Sequence, residues 1–101
     1  MKNRITEILN IQYPIVQGAL SWVTNAEFVA AVSNAGGLGI LGPHGGYNTN
    51  PNSMDEIIER MRDEIRNIKI LTDKPFAAPL VVSYDLSRID DVIDMLIAEE
   101  V

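Results

Sequence analysis

Residues 14–43 decide the fold and read PIVQGALSWVTNAEFVAAVSNAGGLGILGP. Two short apolar runs, 14–17 and 38–41, each end at a glycine and are typical of buried strands. Between them, apolar side chains recur at helical spacing from Phe28 to Ala35. A strand, a helix and a second strand within about thirty residues form a βαβ unit with parallel strands.

The ends of this helix carry their own signals. Thr24-Asn-Ala-Glu27 has the spacing of a capping box, so we expect Thr24 to cap a helix over about residues 25–34. Gly36 and Gly37 follow, and glycine tolerates the positive φ with which helices commonly end. Because this glycine-rich turn precedes a strand, we assign it to chain reversal and not to phosphate binding.

Two further βα units are predicted after residue 43. Ser53 and Glu56 form a second capping box before a long amphipathic helix, and 76–82 is a near-continuous apolar strand. A last helix is expected to start at Ser87 or Asp85. The inward stripes of these two helices are Ile57, Ile58, Met61, Ile65 and Ile68, then Ile89, Val92, Ile93 and Leu96.

The sequence thus predicts three parallel strands, 14–17, 38–41 and 76–82, in the order one-two-three, with their helices on one side. A short helix over Ile5 to Leu9 precedes them. The charged positions of the long helix, Arg60, Asp63 and Glu64 among them, are expected to form a solvated outer face.

Composition excludes several classes of function. The chain has 101 residues, 47% of them hydrophobic, which is typical of a globular protein. Its formal charge of −6 argues against nucleic acid or an anionic membrane as partner. No cysteine is present, which excludes disulfides, thiolate metal sites and a cysteine nucleophile. No apolar run approaches the roughly 20 residues of a membrane helix, and we expect a cytoplasmic protein.

Three ordered motifs carry a family resemblance: Pro14 to Gly18, the run 29–40, and Thr72-Asp-Lys-Pro-Phe76. Together they resemble the N-terminal part of the nitronate monooxygenase family. That family includes the former 2-nitropropane dioxygenases and the flavin-dependent enoyl-acyl-carrier-protein reductases. The resemblance implies an FMN-dependent oxidoreductase built as a TIM (β/α)8 barrel. Its small-molecule substrate would be a nitronate, oxidised with O2, or an enoyl thioester.

Length limits what this chain can contain. A complete barrel takes about 250 residues, so 1–101 is expected to be the N-terminal segment of one FMN-binding TIM-barrel domain. The predicted fold class is therefore α/β, a partial TIM barrel of about three βα units of parallel sheet. Such a segment has open sheet edges, and a homo-oligomer in which copies pair along these edges is one expected arrangement. We expect the 101-residue chain alone to be inactive.

The candidate cofactor-binding residues are Gly18, Ala19 and Leu20. In TIM barrels the site lies at the carboxyl ends of the strands, and a turn of small residues lets backbone N–H groups approach a flat ring. The resemblance supports this placement, although the family commonly has methionine at the position of Leu20. It also places asparagine in contact with the flavin where this chain has Pro79, and proline offers no hydrogen-bond donor.

Trp22 and His44 are weaker candidates for a substrate pocket. Trp22 could equally pack its loop against a helix, and an exposed loop histidine is the favoured interpretation of His44. The resemblance implies a catalytic histidine on a later strand, beyond Val101, so no catalytic residue is predicted in this chain. Asp90, Asp91 and Asp94 lack a histidine partner, and no metal site is predicted.

Three other functions remain open from the sequence. One is the flavin-dependent enoyl-acyl-carrier-protein reductase of the same family. The second is a nucleotide barrel similar to inosine monophosphate dehydrogenase, against which the Gln17-Gly18 pair and the absent cysteine argue. The last is a non-catalytic truncated half-barrel that oligomerises. A yellow protein would indicate a flavoenzyme, whereas colourless, edge-paired oligomers would indicate the half-barrel.

Overall fold

The computed structural model describes residues 2–80 and 86–101. The helices and the last two predicted strands follow one another in the expected order, but the described residues contain no strand between the first two helices, and a short 3-10 turn precedes the last helix. The elements are α1 (Arg4–Leu9), α2 (Ala26–Asn34), β1 (Gly39–Ile40), α3 (Met54–Leu71), β2 (Phe76–Ala77), the 3-10 turn Leu86–Arg88 and α4 (Ile89–Ala98).

The sheet is parallel and has the predicted order. Gly39 pairs with Phe76 and Ile40 with Ala77, while Val16 forms an isolated parallel bridge with Leu38 on the other side. The expectation of a full strand over 14–17 is therefore wrong. The ladder stops after one bridge because the Ile40 main chain bonds to the Gln17 side chain and not to the next main-chain groups of the segment. The predicted strands 38–41 and 76–82 are also shorter than expected, since β1 covers 39–40 and β2 covers 76–77. Residues 78–80 are not in a strand, and Val81 and Val82 lie outside the described residues.

The Gln17 side chain continues the pairing where the first segment ends. Its Oε1 accepts a hydrogen bond from the Ile40 N–H at 2.8 Å, and its Nε2 donates to the Ile40 carbonyl at 3.1 Å. A carboxamide has the same donor and acceptor as a peptide group, so it replaces the next rung of a strand. The chain is consequently fixed to β1 up to Gly18.

Asn25, and not Thr24, caps α2. The Asn25 Oδ1 accepts from the Phe28 N–H at 3.0 Å, so the predicted capping box at Thr24 is wrong. Asparagine caps at least as well as threonine, which frees the Thr24 hydroxyl for a buried loop contact. The cap at Ser53 is confirmed, since its Oγ accepts from the Glu56 N–H at 3.2 Å.

The other helix ends agree with expectation in part. Gly36 has a φ of +107°, and a Cβ there would lie 2.9 Å from the Tyr13 ring, so the glycine exit of α2 is confirmed. The N-cap residue of α4 is Arg88, which corrects the expectation of Ser87. Asp85, the other predicted cap, lies outside the described residues.

Helices α2, α3 and α4 share one core with the end of β1, as expected for helices on one side of the sheet. Ile65 and Ile68 are fully buried, but Ile57 and Met61 are only half-buried because they border a cavity. In α4, Met95 is buried in place of the predicted Ile93. The core consists of Ala26, Val29, Leu41, Ile58, Ile65, Ile68, Val92 and Met95.

An ion-pair network joins the outer sides of α3 and α4. Arg66 donates to Glu99 through Nη2 at 2.9 Å and Nε at 3.3 Å, and Arg62 lies 3.6 Å from the same carboxylate. The hydrogen bond from Arg66 lowers the pKa of Glu99 below its ordinary value of 4.5, and the nearby positive charges act in the same direction.

This shift predicts a pH-dependent contribution to stability. Because the folded pKa of Glu99 lies below the unfolded one, its contribution is present above 4.5 and is lost as the pH falls through the folded value. We expect Glu99→Gln to melt below the parent at about pH 7, and this difference to shrink as the pH falls below 4.5. Thermal denaturation across pH measures this, with the exposed Glu100→Gln as control. An offset that persists in acid would contradict the assignment.

Candidate functional site

Two loops meet at the carboxyl ends of the first strand segment and β1. Residues 18–24 and 42–46, here called the loop pair, are joined by hydrogen bonds along their main chains. The Trp22 N–H donates to the Pro43 carbonyl at 2.8 Å, and the Gly42 N–H donates to the Thr24 carbonyl at 3.1 Å. The loop pair is therefore one folded unit.

Thr24 lies at the centre of the loop pair and is fully buried. Its Oγ1 accepts from the Leu20 N–H at 3.0 Å and donates to the Leu20 carbonyl at 2.6 Å. A Cβ added to Gly42 would lie 2.1 Å from this hydroxyl oxygen, and one added to Gly45 would lie 2.2 Å from the Thr24 carbonyl oxygen. Glycine at both positions permits this close approach, a role that the sequence did not reveal.

The predicted cofactor residues lie beside Thr24 on the open side of the loop pair. Gly18, Ala19 and Leu20 are all exposed, and a Cβ on Gly18 would meet no described atom within 4 Å. Within the ranges that the structure describes, the N–H groups of Gly18 and Ala19 have no hydrogen-bond acceptor. These residues thus present two free backbone donors on an exposed surface.

Trp22 and His44 form an aromatic stack between the two loops. Their ring centroids are 4.5 Å apart and their planes are inclined by 25°. Both residues have positive φ, 71° for Trp22 and 60° for His44, which is unusual for bulky side chains. Strained backbone of this kind is found most often at ligand sites and switch regions.

The stack borders a cavity of about 470 Å³ between the loop pair and helices α3 and α4. Gly18, Ala19 and Leu20 are not among the residues that line it. The two sets of predicted site residues therefore lie in different places. The Gly18–Leu20 run is exposed outside the cavity, whereas Trp22 and His44 line it. The apolar wall of this cavity comprises Leu41, Met54, Ile57, Met61, Leu80, Ile89 and Val92.

Arg60 closes one end of the cavity, so the expectation that it is exposed is wrong. Its guanidinium lies 4.6 Å from the centroid of the Tyr47 ring and donates to Thr49 Oγ1 at 2.9 Å and Glu56 at 3.0 Å. Its side chain is only 12% exposed, because a cation over an aromatic face keeps favourable electrostatics without full hydration. Burial, followed by nearby carboxylates, raises the pKa of Tyr47. Asp63 is exposed, as predicted.

Glu64 ties α3 to the start of α2. Its Oε2 accepts from the Ala26 N–H at 2.8 Å, at the helix end where the macrodipole favours an anion. A Cβ on Gly46, whose φ is +86°, would lie 2.6 Å from the other carboxylate oxygen. Glu64 was predicted to lie on a solvated face. Its partner Ala26 is 38 residues away in the sequence, so no local pattern indicates the contact.

A model of the family described as nitronate monooxygenase matches residues 2–99. The chain belongs to the nitronate monooxygenase family. The predicted resemblance is confirmed by this match, which covers all three motifs on which it depended. The relatives of this chain are therefore oxidoreductase enzymes.

Two curated relatives of the family illustrate the similarity, and both are named "Probable nitronate monooxygenase". The chain is 37% identical over 94 residues to the one from Staphylococcus saprophyticus subsp. saprophyticus, covering 93% of this chain and 24% of the relative. It is 42% identical over 80 residues to the one from Staphylococcus haemolyticus, covering 79% and 20%. The chain thus spans about a quarter of the length of these relatives.

A solved structure of FabK from Thermotoga maritima is similar over the whole of this chain. The TM-score is 0.79 at 32% sequence identity, and the match covers 29% of the FabK chain. A FabK M276A mutant from the same organism gives the same TM-score and identity. The α/β fold with a small parallel sheet is thus shared with FabK.

Within 2–80 and 86–101, no helix is long and apolar enough to cross a bilayer. In the same ranges no group of three or more acidic, histidine or cysteine side chains is arranged to hold a metal ion.

The role assigned to Glu64 gives a prediction. Replacing it by glutamine removes the anion from the α2 N-terminus, so we expect Glu64→Gln to lower the free energy of unfolding by about 1 kcal/mol. Asp63→Asn, one position away on the exposed side, is the matched control and should change stability by less than about 0.5 kcal/mol. Urea denaturation measures both variants. Equal effects would show that the contact with Ala26 contributes nothing specific.

Proposed function

We propose that this chain supplies the first three βα units of an FMN-binding TIM barrel in an oxidoreductase that oxidises nitronates with O2. The observation that carries the proposal is the family match over residues 2–99, combined with the open run Gly18–Leu20 at the carboxyl end of the first strand segment. Binding sites of α/β barrels lie at that end of the strands.

The residues present fit part of a flavin site. Gly18 and Ala19 offer free N–H groups to the polar edge of a flat ring, and the exposed Leu20 side chain offers an apolar contact. FMN, when bound, supplies the redox chemistry between the substrate and O2, while the protein binds and orients. Pro79, half-buried after β2, offers the ring no hydrogen-bond donor. Trp22 and His44 remain the proposed substrate-side residues, since they are the aromatic groups of the loop pair.

A flavin-dependent enoyl-acyl-carrier-protein reductase is the second candidate, and the similarity to FabK fits it loosely. The two candidates differ in electron donor and substrate. A nicotinamide cofactor with an enoyl thioester tests the reductase, and a nitronate with dissolved O2 tests the oxidase. Turnover of the enoyl thioester with the nicotinamide cofactor, without turnover of the nitronate, would overturn the nitronate assignment.

We expect the 101-residue chain alone neither to hold FMN at micromolar concentration nor to turn over nitronates. Tight binding requires a grip on the phosphate, which in this barrel class comes from loops after strands seven and eight. Three βα units do not include those loops, and contacts with one ring edge do not offset the cost of immobilising the ligand. Fluorescence titration with FMN and oxygen-uptake measurements test this. Saturable quenching at micromolar FMN would contradict it.

A chimaera tests the proposal itself. Residues 1–101 replace the matching segment of the Staphylococcus saprophyticus relative, and the unmodified relative is the control. We expect the purified chimaera to show the visible absorption of a bound flavin and to consume O2 when a nitronate is added. A folded, colourless chimaera beside a yellow parent would overturn the proposed flavin site of this segment.

A further inference from the structure

We infer that Thr24 is a positioning residue for the Gly18–Leu20 run, acting together with Gln17 from the opposite end. This inference rests on the proposed function, because it concerns how the run is held ready for a flat, polar-edged ring. Neither residue contacts the ligand in this account. Each fixes one end of the span formed by Gly18 and Ala19.

Thr24 fixes the far end of the span. Its buried hydroxyl bonds to both the N–H and the carbonyl of Leu20, and the Thr24 N–H donates to that carbonyl at 3.2 Å. The Leu20 N–H is therefore already satisfied within the protein. A ring placed beside the run would find free donors only at Gly18 and Ala19, which determines the edge that can bind.

Gln17 fixes the near end. Its carboxamide makes two hydrogen bonds to the Ile40 main chain, and its own N–H donates to the Leu38 carbonyl at 3.0 Å. The two residues between these anchors have no side-chain bulk beyond one methyl group. A short span fixed at both ends has little conformational freedom left to lose, so it binds without a large ordering cost.

The chain contains a matched control for the Thr24 hydroxyl. Thr72 is also buried, and its Oγ1 donates to Asn34 Oδ1 at 2.5 Å and accepts from the Lys74 N–H at 3.1 Å. It lies after α3 and belongs to neither loop of the pair. Thr24→Val and Thr72→Val therefore remove the same chemical group from the same chain, once beside the proposed site and once far from it.

The first measurement needs no ligand. Amide hydrogen exchange of the 101-residue chain should show a protected Leu20 N–H in the parent, in Thr24→Ser and in Thr72→Val, and a fast-exchanging one in Thr24→Val. Rescue by serine separates the hydroxyl from simple packing. Equal protection of Leu20 in Thr24→Val and the parent would overturn the inference, whatever the protein binds.

The second measurement uses FMN at millimolar concentration as the probe and records chemical shifts of the backbone amides. In the parent we expect FMN to shift the amide signals of Gly18 and Ala19. In Thr24→Val these shifts should be about tenfold smaller, because a smaller fraction of molecules has the loop in the conformation that binds FMN. Thr72→Val should keep them. Gln17→Met removes the other anchor at a half-buried position. If Thr24→Val does not fold, the FMN-induced shifts of Gly18 and Ala19 in Gln17→Met provide the test.

The outcomes separate the two claims. If FMN shifts no amide of the run in the parent while Leu20 protection depends on Thr24, the proposed flavin site fails and the loop anchor stands. If the parent responds and both Thr24→Val and Gln17→Met respond equally, the positioning role is overturned and the flavin site stands.

Discussion

Replacing Gly42 by alanine is expected to lower the free energy of unfolding by about 3 kcal/mol. The added Cβ would lie 2.1 Å from the Thr24 hydroxyl oxygen and 2.2 Å from the Leu20 carbonyl oxygen, and the latter belongs to the backbone. The loop pair would have to separate to admit it. That separation would break the main-chain bond between Gly42 and Thr24 and expose a threonine that is now fully buried.

Gly18→Ala is the control for this change. A Cβ on Gly18 would meet none of the residues in 2–80 and 86–101 within 4 Å, so the same substitution should change stability by less than about 1 kcal/mol. Chemical denaturation of both variants gives the comparison. Similar losses in the two would indicate a general cost of losing glycine, and would contradict the close approach at Gly42.

The second large effect is expected at Ile65. This side chain is fully buried in the core shared by α2, α3 and α4, and aspartate there would place an unpaired charge among apolar groups. We expect Ile65→Asp to cost about 4 kcal/mol or more, most of the stability of a small domain. Circular dichroism and thermal denaturation should show loss of the cooperative transition.

Ile70, on the same helix, provides the matched control. It is 81% exposed, so Ile70→Asp should cost less than about 1 kcal/mol, mainly through an unfavourable charge near the helix C-terminus. Met61→Asp, at a half-buried position on the cavity wall, should fall between the two. A cooperative Ile65→Asp variant with the melting temperature of the parent would show that the core is misassigned.

Much of the fold was predictable because its signals are local. The Ser53 cap and the glycine exit at Gly36 follow from neighbours in sequence, and the structure confirms them. The apolar stripe of α3 is confirmed at Ile58, Ile65 and Ile68. The parallel order of the strands follows from the βα alternation. Where two residues compete for one role, local signals fail: Asn25 took the cap expected of Thr24, because both residue types cap well.

The candidate site was less predictable because contacts between distant residues build it. Gly42 ends an apolar run in the sequence, but the need for glycine there and at Gly45 comes from Thr24 in another loop. Arg60 was expected to be exposed, but in the structure its guanidinium packs on the Tyr47 ring, a contact that the sequence does not indicate. The proposed flavin-binding role of Gly18, Ala19 and Leu20 stays a prediction.

The most direct measurement is a crystal structure of the FMN-loaded chimaera with the Staphylococcus saprophyticus relative. We expect the Gly18–Leu20 run to contact the ring while Thr24 and Gln17 hold the run in place. The flavin edge should lie within hydrogen-bond distance of the Gly18 or Ala19 nitrogen, with the bonds from Thr24 to Leu20 retained. A ring bound elsewhere, including in the cavity beside Trp22 and His44, would contradict this expectation.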